Sequence, residues 1–388
     1  MNSRFGEYGE QFNHYGGKVV DFFKNMSYDA DKVKNFLEDN MAYIIMGLGG
    51  LISLYIYFMY IFRRVHYALR KTRQYHKIMM ITPIAENKLV MEGRFRLCDF
   101  YIASSYRSYL PYQQTIDYAE YKAIQVALES GARYIELDIW HRGFCYESPP
   151  MVYQGREVGT WAWTNRLTFE NCIKLITETA FGSEKVPNGT DPLFIYLNIH
   201  CDSNYKLLDK IANILLKYLD NKIYKFVPSE EAPVPGMAFI KDFIGKVVII
   251  SNKSWIKSPM DNLVNFVIGD TILNLEHGQV QFPYDPEHMR EINRKGLTRV
   301  IPGFKGRETA NYNPMQAWLL GCQFVCMNYQ KADIYMDFYI DKFKNCSLVL
   351  KPEALRYKPL RYFAAKPQTE AVSYAPRSSN TPYVSFTY

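Results

Sequence analysis

The sequence predicts an α/β protein, a distorted TIM-type (β/α)8 barrel preceded by one transmembrane helix. Three observations predict it. Residues 41–62 carry no charged side chain. From about 95 to 356, apolar strand-like runs alternate with helix-periodic ones, the pattern of a parallel sheet with helices outside it. Apolar residues make up 48 % of the 388, enough for a full core, which excludes a disordered chain.

Residues 1–40 read as an extramembrane, partly helical tail. The next segment, "MAYIIMGLGGLISLYIYFMYIF", spans about 33 Å as a helix, the thickness of a bilayer's hydrocarbon core. It starts too deep in the chain and is too long for a cleavable signal. The basic residues Arg63, Arg64, Arg70, Lys71, Arg73 and Lys77 follow it, against Lys32 and Lys34 before it. The positive-inside rule therefore predicts a single-pass membrane protein with everything after residue 62 on the cytosolic side. The same run can lie along anionic headgroups. Tyr55, Tyr57 and Tyr60 sit towards that end, where interfacial aromatics are expected.

Residues 63–94 read as a basic juxtamembrane linker. Beyond it, strands are predicted at 100–104, 133–140, 193–200, 246–252, 271–275 and 324–330, and helices at about 117–129, 169–180, 203–219 and 286–295. A closed (β/α) barrel is the natural container for this alternation. Residues 361–388, rich in Ser, Pro and Thr, read as a flexible tail. The net charge of +7 is too mild to argue for nucleic acid, and none is expected as a partner. The seven cysteines contain no CxxC pair and read as buried thiols of a reducing compartment.

Several stretches together resemble the catalytic barrel of phosphoinositide-specific phospholipase C. They are "LCDFYIASSYRSYL" (97–110), "GARYIELDIW" (131–140), "MVYQG" (151–155), "PLFIYLNIHCD" (192–202) and "GKVVIIS" (245–251) for the X half. "LTRVIPG" (297–303), "NYNPMQAWLLGCQFVCMNYQ" (311–330) and "LVLKPEALR" (348–356) stand for the Y half. The resemblance implies an X half at 95–253, a short linker at 254–264 and a Y half at 265–360. It leaves no room for the lipid-binding, calcium-binding and C2 modules that usually flank the barrel, so the transmembrane helix is expected to supply membrane targeting.

The resemblance also implies a chemistry. Two histidines and one Ca²⁺, held by an asparagine and three carboxylates, promote attack of the inositol 2-hydroxyl on phosphorus. Here the family's "SSHNTYL" reads "SSYRSYL", so Tyr106 stands for the first histidine and Arg107 for the asparagine ligand. Gln154 stands for the second histidine. The carboxylates Glu136 and Asp138 remain, pointing the same way on a strand, while the last carboxylate ligand is Asn198. Arg299 keeps the position of a substrate arginine. The stacking tyrosine after it is Ile301, and a substrate lysine aligns with Ile250, with Lys253 close by. His200 reads as structural and His141 as a loop residue.

Both catalytic histidines and two calcium ligands are thus replaced. The expectation is a membrane-anchored pseudoenzyme with no cofactor, its Ca²⁺ lost, binding anionic phospholipid headgroups or a protein partner without turnover. Arg299 and Lys253, with Lys305 and Arg307, are expected to keep the mouth basic. An active phosphodiesterase with a metal-independent site and a structural membrane scaffold are the alternatives. Arg107 is expected to pair with Glu136 or Asp138 in the vacated metal position, and the Tyr106 hydroxyl to bond Gln154 or Asn198.

Overall fold

The computed structural model describes residues 30–111, 118–141, 148–156, 161–162, 165–182, 186, 188–200, 205–303, 310–359 and 376–387. Residues 1–29 of the tail, and Lys305 and Arg307, lie outside the described residues. The chain divides into two compact units, Met1–Tyr67 and Ala68–Tyr388.

The described part of the first unit is helical. Helix α1 (Ala30–His76) contains the one stretch among the described residues, Lys34–Arg63, that is long and apolar enough to cross a membrane by length and composition. Most of its large apolar side chains between Tyr43 and Phe62 are exposed, with Ile44, Met59 and Ile61 half-buried. The helix continues through residues 63–76, so the first half of the expected linker is helical.

The second unit is built on eight strands: β1 (Phe100–Ser105), β2 (Tyr134–Trp140), β3 (Leu193–His200), β4 (Val247–Ser251), β5 (Phe266–Val267), β6 (Ile272–Glu276), β7 (Leu297–Ile301) and β8 (Phe324–Met327). They pair in the order β6-β7-β8-β1-β2-β3-β4-β5, all parallel. The barrel is nearly closed, its seam between β5 and β6 crossed by a single bridge, Ile268 to Ile272. A ninth strand, β9 (Leu348–Leu350), pairs antiparallel with β1.

Alternation along each strand separates two apolar clusters. Ile102, Tyr134, Phe194, Val248, Ile250 and Phe324 fill the barrel. Ala103, Ile135, Leu137, Ile195, Leu197, Ile249 and Val325 face outward, against the helices. Those helices are α2 (Tyr121–Glu129), α3 (Phe169–Ala180), α4 (Tyr205–Leu219), α5 (His277–Gln281), α6 (Pro286–Lys295), α7 (Met315–Leu319) and α8 (Ile334–Phe343). Asp285 caps α6 with bonds to the Glu287 and His288 amides, and Asp333 caps α8 at the Met336 amide. The expected tail contains a two-stranded hairpin, Ser378–Asn380 against Ser385–Thr387. Cys98, Cys172, Cys322 and Cys326 are buried, whereas Cys346 is half-buried.

Candidate functional site

The end of β1 turns sharply, and Arg107 makes the turn with φ of +41°, a region that a residue with a side chain occupies at a cost of about 1–2 kcal/mol. What holds it there is a reciprocal clasp to β2. The Ser108 amide donates to the Glu136 carbonyl at 3.2 Å, and the Glu136 amide donates to the Ser108 hydroxyl at 3.1 Å. The Tyr106 amide is fixed to the Met327 carbonyl of β8 at 2.9 Å. The turn is therefore pinned on both sides before any side-chain chemistry is considered.

Strand register supplies the rest. The pairing of β2 with β3 sets Glu136 beside Tyr196, Asp138 beside Asn198 and Trp140 beside His200. On the far side, β6 sets Asn274 beside Arg299 of β7. Glu136, Asp138 and Arg299 are 2, 2 and 3 % exposed, so charge must be answered inside the barrel.

It is answered as follows. Arg299 donates to Glu136 Oε2 at 2.5 Å and to Asn274 Oδ1 at 2.9 Å. Its guanidinium lies 4.7 Å from the Tyr196 ring centre and 5.9 Å from that of Tyr106. Asp138 accepts from the Tyr109 hydroxyl at 2.7 Å and from Asn198 Nδ2 at 2.5 Å, with His200 Nε2 at 3.4 Å. Arg107 Nε stands 3.7 Å from Asp138 Oδ2, the oxygen that Tyr109 also reaches. The His200 ring stacks on the Trp140 indole, with centres 3.7 Å apart and planes 8° from parallel.

The two carboxylates are driven apart in proton affinity. Burial pushes both up, but the His200 hydrogen bond, the Arg107 charge and the Tyr109 hydroxyl overcome it at Asp138 and hold that carboxyl at about 2. Burial prevails at Glu136 and raises it from its ordinary value, against the pull of Arg299. Burial also opposes the charge on Arg107, but Tyr106 and Asp138 more than compensate and keep it a cation. The Tyr106 hydroxyl is pushed up to about 12 by burial.

These positions bring together Tyr106, Arg107, Glu136, Asp138, Gln154, Asn198 and Arg299, as the sequence predicts, with two corrections. Arg107 pairs with Asp138, one of its two expected partners, while Glu136 pairs with Arg299. The hydroxyl that reaches Gln154, at 3.2 Å, belongs to Tyr109, and Tyr106 instead packs in the barrel's interior cluster. Arg299 does not keep a basic side to the mouth, because its charge is buried and spent on Glu136. Lys253 is exposed, its amine 6.0 Å from the Trp255 ring centre, and Ile250 lies in the interior cluster. Tyr109, Asn274 and the Trp140–His200 stack were missed. Asn274, two residues after Ile272 on a predicted strand, shares its face and is legible as inward-facing.

The residues present do not fit a calcium ion. The Arg107 guanidinium, a cation, stands beside Asp138, Asn198 turns its NH2 and not its oxygen to the same carboxylate, and both carboxylates already accept from Arg299, Tyr109 and Asn198. Among the described residues, no three of His, Cys, Asp or Glu come together so as to hold a metal ion.

Comparison with known proteins places the chain. Human inactive phospholipase C-like protein 2 is 23 % identical over 351 residues, which span 75 % of this chain and 30 % of that protein. The 1-phosphatidylinositol 4,5-bisphosphate phosphodiesterase delta-4 of Xenopus laevis is 22 % identical over 75 % of this chain and 45 % of its own length. The chain thus spans less than half the length of these two curated relatives. The crystal structure of L. pealei PLC21 superposes with a TM-score of 0.59 at 22 % identity, covering 71 % of this chain and 40 % of that one, a likeness of fold. Residues 94–253 match the model of the phosphatidylinositol-specific phospholipase C X domain and residues 271–354 that of the Y domain, so the chain belongs to the phosphatidylinositol-specific phospholipase C family.

Proposed function

We propose that this chain is a membrane-anchored phospholipase C-like pseudoenzyme, with its barrel on the cytosolic side, that binds anionic phospholipid headgroups or a protein partner without turnover. The family contains both phosphodiesterases and proteins named inactive, so membership alone does not decide between them. The observation that carries the reading is the internal neutralisation of Glu136 and Asp138 by side chains from β3, β7 and the β1 turn.

Turnover in this family's manner needs a cation against the phosphate and a proton donor for the leaving oxygen. Tyr106, with its hydroxyl pushed up to about 12, is a poor proton relay at neutral pH. Gln154 has no titrating proton at all. His200, the one histidine among the described residues that touches Asp138, is flat against Trp140, an arrangement that fixes its ring. Headgroup binding rests on exposed cations such as Lys253 and the basic run after residue 62, since Arg299 is sealed in.

Thermal unfolding of the full chain in detergent, with and without millimolar Ca²⁺, tests the metal-free reading. No calcium-dependent shift in Tm is expected. A stabilisation by Ca²⁺ that disappears in Glu136→Gln overturns the reading.

A further inference from the structure

We propose that the cavity at the N-terminal end of the barrel, opposite the candidate site, binds a nucleoside monophosphate. The inference is independent of the membrane-anchored reading.

The cavity has a volume of about 1160 Å³, ample for a small molecule. Its wall is built around a buried arginine. Residues 94–97 run antiparallel to 238–240, the Leu97 amide donating to the Ala238 carbonyl at 2.9 Å and the Ile240 amide to the Phe95 carbonyl at 3.0 Å. This ribbon sets Arg96, 8 % exposed, against the Phe239 ring. The Arg96 guanidinium donates to the carbonyls of Glu231 and Met237. On its other side the Tyr357 amide is fixed to the Asp99 carboxylate at 2.7 Å.

The result is a layered stack of Tyr357, Arg96, Phe239 and Arg94. Each guanidinium lies close to the next ring centre, at 4.3, 5.2 and 5.3 Å along the stack. Arg96 is spent inside the wall. The two ends, half-buried Tyr357 and exposed Arg94, both line the cavity. A flat aromatic base lengthens such a stack at an end.

The remaining lining selects the rest of the ligand. Arg356 and Lys358, which flank Tyr357 in sequence, suit a phosphate. Arg356 gives its Nε to the Lys351 carbonyl at 2.5 Å, and Lys358 is exposed with no side-chain partner among the described residues. The exposed carboxylates of Glu230 and Glu353 are likewise without partners among the described residues, whereas Glu231 is held by Arg94 at 2.5 Å. A carboxylate repels a phosphate but accepts from a ribose diol. Ring faces, cations and carboxylates thus each answer one part of a nucleoside monophosphate. A polyanion or an acidic peptide would use the cations alone and meet the three glutamates, so neither fits as well.

Isothermal titration of the full chain in detergent tests this. Adenosine monophosphate is expected to bind with a Kd below about 1 mM. Ribose 5-phosphate, which lacks the base, is expected to bind at least about fivefold more weakly, and adenosine, which lacks the phosphate, at least about fivefold more weakly as well. Tyr357→Leu should remove the advantage of adenosine monophosphate over ribose 5-phosphate. Lys358→Glu should weaken adenosine monophosphate at least about fivefold, while Lys174→Glu on the exposed side of α3 leaves it unchanged. No binding at about 1 mM, or ribose 5-phosphate binding as tightly as the nucleotide, overturns the proposal. So does adenosine triphosphate binding more tightly in a way that salt abolishes, since that would be charge attraction alone. Binding indifferent to Lys358→Glu places the nucleotide elsewhere on the chain and overturns it too.

Discussion

Arg299 on β7 and Glu136 on β2 meet across the barrel interior at 2.5 Å, each all but sealed from water. The pair is asymmetric in its chemistry. A glutamate left alone in a buried site can take a proton, whereas an arginine cannot give one up.

Replacing the two partners one at a time exposes that asymmetry. Glu136→Leu leaves a buried guanidinium without a counter-charge and is expected to cost about 3–5 kcal/mol, the range for breaking a buried pair. Arg299→Met lets Glu136 protonate and is expected to cost less, about 1–3 kcal/mol. The double variant should be more stable than the sum of the two implies. Urea unfolding measures all three, and equal costs for the two single changes would refute the assignment.

Arg107 combines a strained backbone with an ion pair that is long for a hydrogen bond, at 3.7 Å. Asparagine tolerates positive φ far better than most residues, so Arg107→Asn relieves strain while it removes a cation. The two effects are expected to cancel to within about 1 kcal/mol. Arg107→Val keeps the strain, adds a β-branched side chain and loses the charge, and should cost at least about 2 kcal/mol. A loss well above about 1 kcal/mol for the asparagine variant would show that the charge outweighs the backbone.

Asp138 makes stability depend on acid. Its carboxyl is held at about 2 in the folded chain, below the roughly 3.9 of an unfolded aspartate. A depressed value contributes stability above the unfolded value, and that contribution is lost as pH falls from about 4 towards 2. The advantage of the parent chain over Asp138→Asn should therefore be full at pH 7, on the order of 2 kcal/mol, and should shrink below pH 4. An advantage that stays constant down to pH 2.5 would contradict the charged-carboxylate network.

Much of this was legible in the residues and some was not. The runs "RYIELDIW" and "LFIYLNIH" predict β2 and β3 to within a residue, because strands buried on both faces read as unbroken apolar runs. Helix α8, "IYMDFYIDKF", was missed because its outer side is as aromatic as its inner one and shows little helical contrast. The strand "LTRVI" was quoted in the resemblance but not predicted as a strand, since a threonine and an arginine break its apolar run. Periodicity shows that Arg299 points inward, but not that β7 brings it to Glu136 of β2 across the nearly closed barrel.

Topology is checked by glycosylation in a eukaryotic cell, with an acceptor tag appended before residue 1. Of the Asn-x-Ser/Thr sites in the barrel unit, Asn188 is buried and bonded to Ser347, and the Asn252 side chain bonds both backbone groups of Ile199. Asn345 is exposed and is the useful reporter. The tag is expected to be glycosylated and Asn345 not. The reverse pattern would place the barrel outside the cytosol.

The most direct test of the central claim is release of inositol phosphate by the purified full chain from vesicles containing phosphoinositides, with Ca²⁺ and with chelator. The proposed pseudoenzyme lacks the acid, the base and the metal site, each worth on the order of 10²–10⁴ in rate, and so predicts release no faster than from vesicles alone in either condition. Release that rises with Ca²⁺ and is abolished in Glu136→Gln would contradict the account, since it would show a working metal site where the structure places an internal ion pair.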